Sequence, residues 1–150
     1  MDSPITADQA HARAIVCAMT ALVDLQHWSQ LTDCFDDQVR ADYSSLWGGE
    51  AQQIARADLI GQWRAMLPGF DATAHHLGPV KVQVDGDRAA ASADVQGTHV
   101  LGGDAWVVEG QYRVELIRRG RSWRITALTL DSTAESGNRA LADRAKQRSA

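Results

Sequence analysis

With 150 residues, of which 45% are hydrophobic and 23% charged, the chain can bury one core without help from disulfides or a structural metal. Its 15 basic residues against 19 acidic ones leave a net charge of −4. That excludes the basic surplus of a nucleic-acid protein and the polybasic anchor of a lipid-surface protein. No apolar run nears the ~20 residues of a membrane span, and MDSPITADQA has neither the basic nor the apolar region of a secretory signal. A soluble, cytoplasmic domain covering residues 1–150 is expected.

After a loose end at residues 1–5, a helical pattern without Gly or Pro runs from about Thr6 to Trp28. Thr6 or Asp8 is its plausible cap, and Ile15, Met19 and Leu22 form its apolar stripe. Leu31, Cys34 and Phe35 at helical spacing predict a short second helix over Ser29–Phe35. Asp36-Asp37 ends it, and alternation then predicts a strand from Gln38 to Tyr43. SSLWGGEAQQ reads as a loop. A third helix is predicted from about Arg56 to Leu67, stopped by Pro68-Gly69.

The second half alternates with period two. Runs at Thr73–Val84, Arg88–Leu101, Ala105–Arg118 and Ser122–Leu130 predict four strands joined by short Gly-containing turns. The polar stretch 131–150 is expected to be a helical tail, capping a cavity mouth, packing on a neighbouring subunit or simply solvated. Helices followed by strands give an α+β domain with a curved sheet wrapped on its own helices.

Residue parity sorts these strands into faces. His76 shares the even face with Val80, Val82 and Val84 if no bulge intervenes at Gly78-Pro79, which turns His75 outward. His99 shares a face with Ala89, Ala91, Ala93 and Val95, and Tyr43 with Val39 and Ala41. Trp106, Val108, Tyr112, Val114 and Leu116 lie together on the third run. Singly, an inward histidine or tyrosine is more often a core residue with its polar atoms satisfied. The small residues around His99 cannot fill much space, however, so two inward histidines opening into one cavity are a candidate site. Asp24 lies between the polar Arg13, Thr20 and His27 and the less polar Cys17, Ala21 and Trp28 on the helical wheel. Spacing permits a solvated aspartate or one at a pocket edge. Cys17 and Cys34 form no metal spacing, and no Gly-rich phosphate loop occurs, so neither a metal nor a cofactor is expected.

The order of these signals resembles that of SnoaL-like domains in the NTF2-like superfamily. It includes Leu22-Val23-Asp24-Leu25-Gln26-His27-Trp28, then Leu31, then Phe35-Asp36-Asp37-Gln38-Val39-Arg40-Ala41-Asp42-Tyr43. His75-His76-Leu77-Gly78, the strand into Asp85-Gly86-Asp87, and Tyr112 through Ser122-Trp123-Arg124-Ile125 continue the likeness over about residues 8–130. Within the superfamily the chain is most similar to the scytalone dehydratases. The resemblance implies a cone-shaped, curved mixed or antiparallel sheet, with N-terminal helices closing an internal pocket. It implies loss of water from a cyclic hydroxy-ketone without metal or organic cofactor.

Carried over by position, the resemblance gives Asp24 and His76 as an acid/base dyad. It gives Tyr43 as the residue acting on the substrate carbonyl, and His99 as the one that positions or protonates the leaving hydroxyl. Val23, Trp28, Trp47, Trp63, Trp106 and Tyr112 are the expected pocket residues for a small hydrophobic or aromatic substrate. The fungal enzymes carry a second carbonyl-directed tyrosine where this chain has Val23, so a one-tyrosine site is expected. A homotrimer is implied ahead of a dimer. Two other readings use the same cavity: a ketone isomerase, and a non-catalytic ligand-binding or interaction domain like the β-subunits of aromatic dioxygenases.

Overall fold

The computed structural model describes residues 5–150; of the expected loose end at 1–5, only Ile5 falls within them. Helix α1 spans Ala7–Asp24 and opens with a capping box, in which Thr6 accepts from the Gln9 amide and Gln9 accepts from that of Thr6. It ends short of Trp28. Gln26 takes a positive φ of 58°, and the amides of Gln26 and His27 return to the carbonyls of Val23 and Leu22. This left-handed close starts a new, short helix α2 at Trp28–Thr32.

Strand β1 (Phe35–Asp42) follows, and SSLWGGEAQQ is not all loop. It holds the helical turn α3 (Ser44–Trp47) and leads into β2 (Gln52–Ala55), which pairs with β1. Helix α4 covers Arg56–Arg64, and a single 3₁₀ turn at Leu67–Gly69 ends it. The rest of the sheet is β3 (Ala72–Leu77), β4 (Lys81–Asp85), β5 (Arg88–Leu101), β6 (Asp104–Arg119) and β7 (Ser122–Gly137). Helix α5 spans Leu141–Ser149.

The sheet is curved and unclosed, in the order β2-β1-β7-β6-β5-β3, with β4 also on β5. All pairings are antiparallel except β1 with β7. Bulges interrupt the β6–β7 ladder at Glu109/Gly110 and Glu115/Leu116, where an extra residue bends the strand. The concave face carries the residues assigned to it by parity, including Ala89, Ala91, Ala93, Val95, Trp106, Val108, Tyr112, Val114 and Leu116, all buried. Against it pack Ala12, Val16, Met19 and Val23 of α1.

The run Thr73–Val84 is two strands rather than one, and the break changes their faces. Leu77 pairs with Val95 and His75 with Gly97, whereas Lys81 pairs with Ser92 and Val82 with Ala91. One more residue is used on the β3–β4 side than on β5. Pro79 has no amide to give the ladder, and a single inserted residue turns every following side chain over. Odd residues of β3 and even residues of β4 therefore share the concave face.

The polar segment from Asp131 divides into two pieces. Residues up to Gly137 extend β7 along β6, and α5 then folds back on the 3₁₀ turn. Leu141, Ala142 and Ala145 of α5 are buried, and Arg148 pairs with Asp71 at 3.0 Å. A Cβ on Gly69 would overlap the backbone carbonyl of Ala145. Gly69→Ala is therefore expected to destabilise the fold by about 3 kcal/mol, the upper range for overpacking. A denaturant titration would read this, and an unchanged midpoint would show that α5 is not held at this point.

Candidate active site

Asp24 ends α1, whose last turn contains no basic residue. A carboxylate at a helix C-terminus faces the negative end of the dipole, so the position is locally unfavourable and needs compensation. Strand β3 supplies it. The His75 amide donates to Asp24 Oδ2 at 2.7 Å, the Thr73 hydroxyl donates to Oδ1 at 3.0 Å, and His75 Nδ1 lies 2.7 Å from Oδ1. Burial alone would raise the Asp24 carboxyl. The ring hydrogen bond and charge of His75, its amide and the Thr73 hydroxyl together hold it below the ordinary carboxylate value.

An ionised carboxylate only accepts, so the proton of a neutral His75 sits on Nδ1 and Nε2 carries the lone pair. His75 lines the cavity, and its Nε2 has no hydrogen-bond partner among the described residues.

This corrects the expected dyad. The partner of Asp24 is His75, and His76 is exposed on the outer sheet face beside Gln96, Glu109 and Thr133. The inserted residue at Gly78–Val80 is the cause, since parity was counted backward from the valines of β4.

His99 is buried at 6% exposure. Its Nδ1 lies 3.0 Å from the Trp106 carbonyl, its ring stacks on Trp106 at 4.5 Å, and Phe70 lies 5.1 Å away. Burial pushes its pKa down to about 4. At neutral pH the ring is uncharged, and because a carbonyl cannot donate, the single proton is on Nδ1. Nε2 is then a pure acceptor. His99 can receive a hydrogen bond from a substrate hydroxyl, but it cannot protonate a leaving group, which corrects half of the expected role.

The two histidine rings meet edge to face with centroids 5.9 Å apart. Gly97 makes room for them: a Cβ there would lie 3.4 Å from His75 Cδ2 and 3.4 Å from His99 Cε1.

Tyr43 follows Asp42, which pairs with Thr129 of β7, and the next β7 residue, Leu130, pairs with Tyr112 of β6. The two hydroxyls are neighbours, and burial raises both phenols, Tyr43 well above its ordinary value and Tyr112 to about 12. Both are neutral donors at physiological pH.

These groups border one cavity of about 670 Å³, a volume typical of small-molecule sites. Val23, Trp47, Trp63, Trp106 and Tyr112 line it as expected, while Trp28 does not. The chain leaves α1 before Trp28, so its place on the helical wheel no longer applies, and it packs on the core from α2. Lys146 of α5 and Glu50 also line the cavity. Lys146 lies 5.4 Å and the Arg139 guanidinium 4.9 Å from the Trp47 ring. Thus the tail forms part of the cavity wall, in keeping with the first of the placements expected for it. Among the described residues no helix is long and apolar enough to cross a membrane, and no cluster of three or more His, Cys, Asp or Glu could hold a metal ion.

Solved structures share this architecture. The Kfla4162 protein of Kribbella flavida is 27% identical with a TM-score of 0.85, over 91% of this chain and 97% of that one. A protein of Novosphingobium aromaticivorans provisionally named an aromatic ring hydroxylase is 26% identical with a TM-score of 0.80, over 94% and 99%. A protein from the same organism provisionally named a scytalone dehydratase has a TM-score of 0.73 at 14% identity, over 87% of each chain. At that distance the likeness is one of fold, as it is for a hexachlorocyclohexane dehydrochlorinase, LinA type 2, at 18% identity and a TM-score of 0.70 over 88% and 89%. No curated protein matches the chain. The family model for the SnoaL-like domain matches residues 5–129, which takes in the dyad, both tyrosines and most of the concave face. The chain belongs to the SnoaL-like domain family.

Proposed function

We propose that the protein is a cofactor-independent lyase that removes water from a small cyclic hydroxy-ketone. The observation that carries the reading is the Asp24–His75 pair, with the free Nε2 of His75 on an aromatic-walled cavity. His75 Nε2 takes the proton α to the carbonyl, and the C–H electron pair moves into an enolate whose oxygen is held by the Tyr43 hydroxyl. Asp24 stabilises the imidazolium so formed and fixes the ring, the orienting role of the third member in hydrolytic triads.

The enolate then collapses. The bond from the β-carbon to its hydroxyl breaks, and the departing oxygen takes the proton back from His75 and leaves as water. The conjugated enone and neutral His75 remain. His99 Nε2 accepts from the β-hydroxyl and orients it toward His75. This acceptor favours elimination over simple isomerisation, which has no departing hydroxyl to orient. A carboxylate tied to a cavity histidine favours catalysis over a purely binding role. The distant fold likeness to proteins named for dehydration and dehydrochlorination is compatible with elimination chemistry.

A β-hydroxytetralone tests the reading, because losing water converts it into a naphthol with new absorbance. Naphthol formation proportional to enzyme is expected. In deuterated water, exchange of the α-proton without naphthol would replace elimination by isomerase-type chemistry. Saturable binding with neither exchange nor product would leave only a binding role.

A further inference from the structure

We infer that Tyr112 is a second substrate-facing donor, making with Tyr43 a two-phenol cradle for the delocalised oxyanion of a fused-ring enolate or phenolate. The inference deepens the elimination reading above and rests on it for the identity of the oxygen.

Three observations support it. First, register brings the two residues together: Tyr43 directly follows Asp42, which pairs with Thr129 of β7, and the next β7 residue, Leu130, pairs with Tyr112 of β6. Second, both side chains border the cavity, and the hydrogen-bonding neighbour of each hydroxyl is the other. Two neighbouring phenols can share at most one O–H···O contact, so at least one proton remains free for a ligand. Third, burial keeps both phenols protonated far above neutral pH.

An oxygen between the hydroxyls receives two hydrogen bonds, and these strengthen as negative charge builds on it. A carbonyl is thus held modestly and its enolate strongly. That difference lowers the barrier to proton removal. The tryptophans around the pair suit the flat apolar remainder of such a ligand.

The test uses halogenated naphthols of graded acidity, with naphthalene as the reference that lacks the oxygen. Ionisation of the bound probe is read from absorbance and affinity from tryptophan quenching. In the native protein, affinity is expected to rise with naphthol acidity, and the bound probe to ionise at lower pH than in water. Tyr112→Phe is expected to weaken the ionised naphthols by about 10- to 100-fold, the worth of one hydrogen bond to a charged group. Naphthalene binding should be unchanged.

Equal weakening of naphthalene and naphtholate, or no weakening of either, would overturn the inference. If Tyr112→Phe does not fold, the native protein decides: a bound naphthol that ionises no earlier than in water also overturns it. The two readings fail separately. Water loss at the native rate in Tyr112→Phe sinks the cradle and leaves the lyase. Native oxyanion preference with no elimination from any hydroxy-ketone sinks the lyase and leaves the cradle.

Discussion

Replacing His75 with alanine is expected to lower the rate of water elimination by about 10²- to 10⁴-fold, the usual worth of a positioned acid or base. The same replacement at His76 should leave the rate at its native level. His75 presents Nε2 to the cavity while Asp24 holds Nδ1 at 2.7 Å, whereas His76 lies exposed on the opposite face of the same strand. The contrast between adjacent residues therefore separates a role in the cavity from any general effect of disturbing β3. Asp24→Asn should be similarly severe. Its amide can donate to Nδ1, which moves the ring proton to Nε2 and occupies the base. Turnover of the β-hydroxytetralone, with a thermal melt for each variant, makes the measurement. Equal losses at His75 and His76, with both variants folded, would remove the dyad from the mechanism.

Stability is expected to fall as the pH drops from about 6.5 to about 4, and His99 is the reason. Burial depresses its folded pKa from 6.5 to about 4. Between those values the unfolded chain binds a proton that the native protein does not, so stability rises with pH across the window and is lost as pH falls through it. At about 1.4 kcal/mol for each pKa unit, the loss is on the order of 3 kcal/mol. His99→Phe keeps a flat ring against Trp106 and Phe70 but cannot titrate. Its denaturation midpoint should hardly change over this range. The contribution of Asp24 has a different window. Its pKa is lowered from 3.8, so its stabilisation is complete above that value and is lost as pH falls through the lower folded one. A native protein that is equally stable at pH 6.5 and pH 4 would show that His99 takes up its proton without opening the core.

The site was partly legible because strand parity is a strong local signal. It placed His99, Trp106 and Tyr112 on the concave face, where the long ladder between β5 and β6 keeps them. Parity failed for β3 because it carries no memory across an inserted residue. Gly78-Pro79 was visible as a possible break, but whether the chain spends an extra residue there depends on its pairing with β5. Asp24 carried a usable signal of another kind. An acidic residue in the last turn of a helix that has no base there is a local mismatch, and such mismatches tend to mark function.

Hydrophobic periodicity, turn residues and composition determined that this chain is an α+β domain, and the order of its residues pointed to the SnoaL-like family that the match over residues 5–129 shows. These are properties of neighbours in sequence, and spacing alone expresses them. Only the tertiary structure decided which histidine faces Asp24, that Tyr112 stands beside Tyr43, and that Lys146 of α5 reaches the cavity. Each of these depends on the register between strands far apart in the chain or on the docking of a terminal helix. Such choices are fixed by burial and hydrogen bonding across the whole sheet, which no local window of sequence contains.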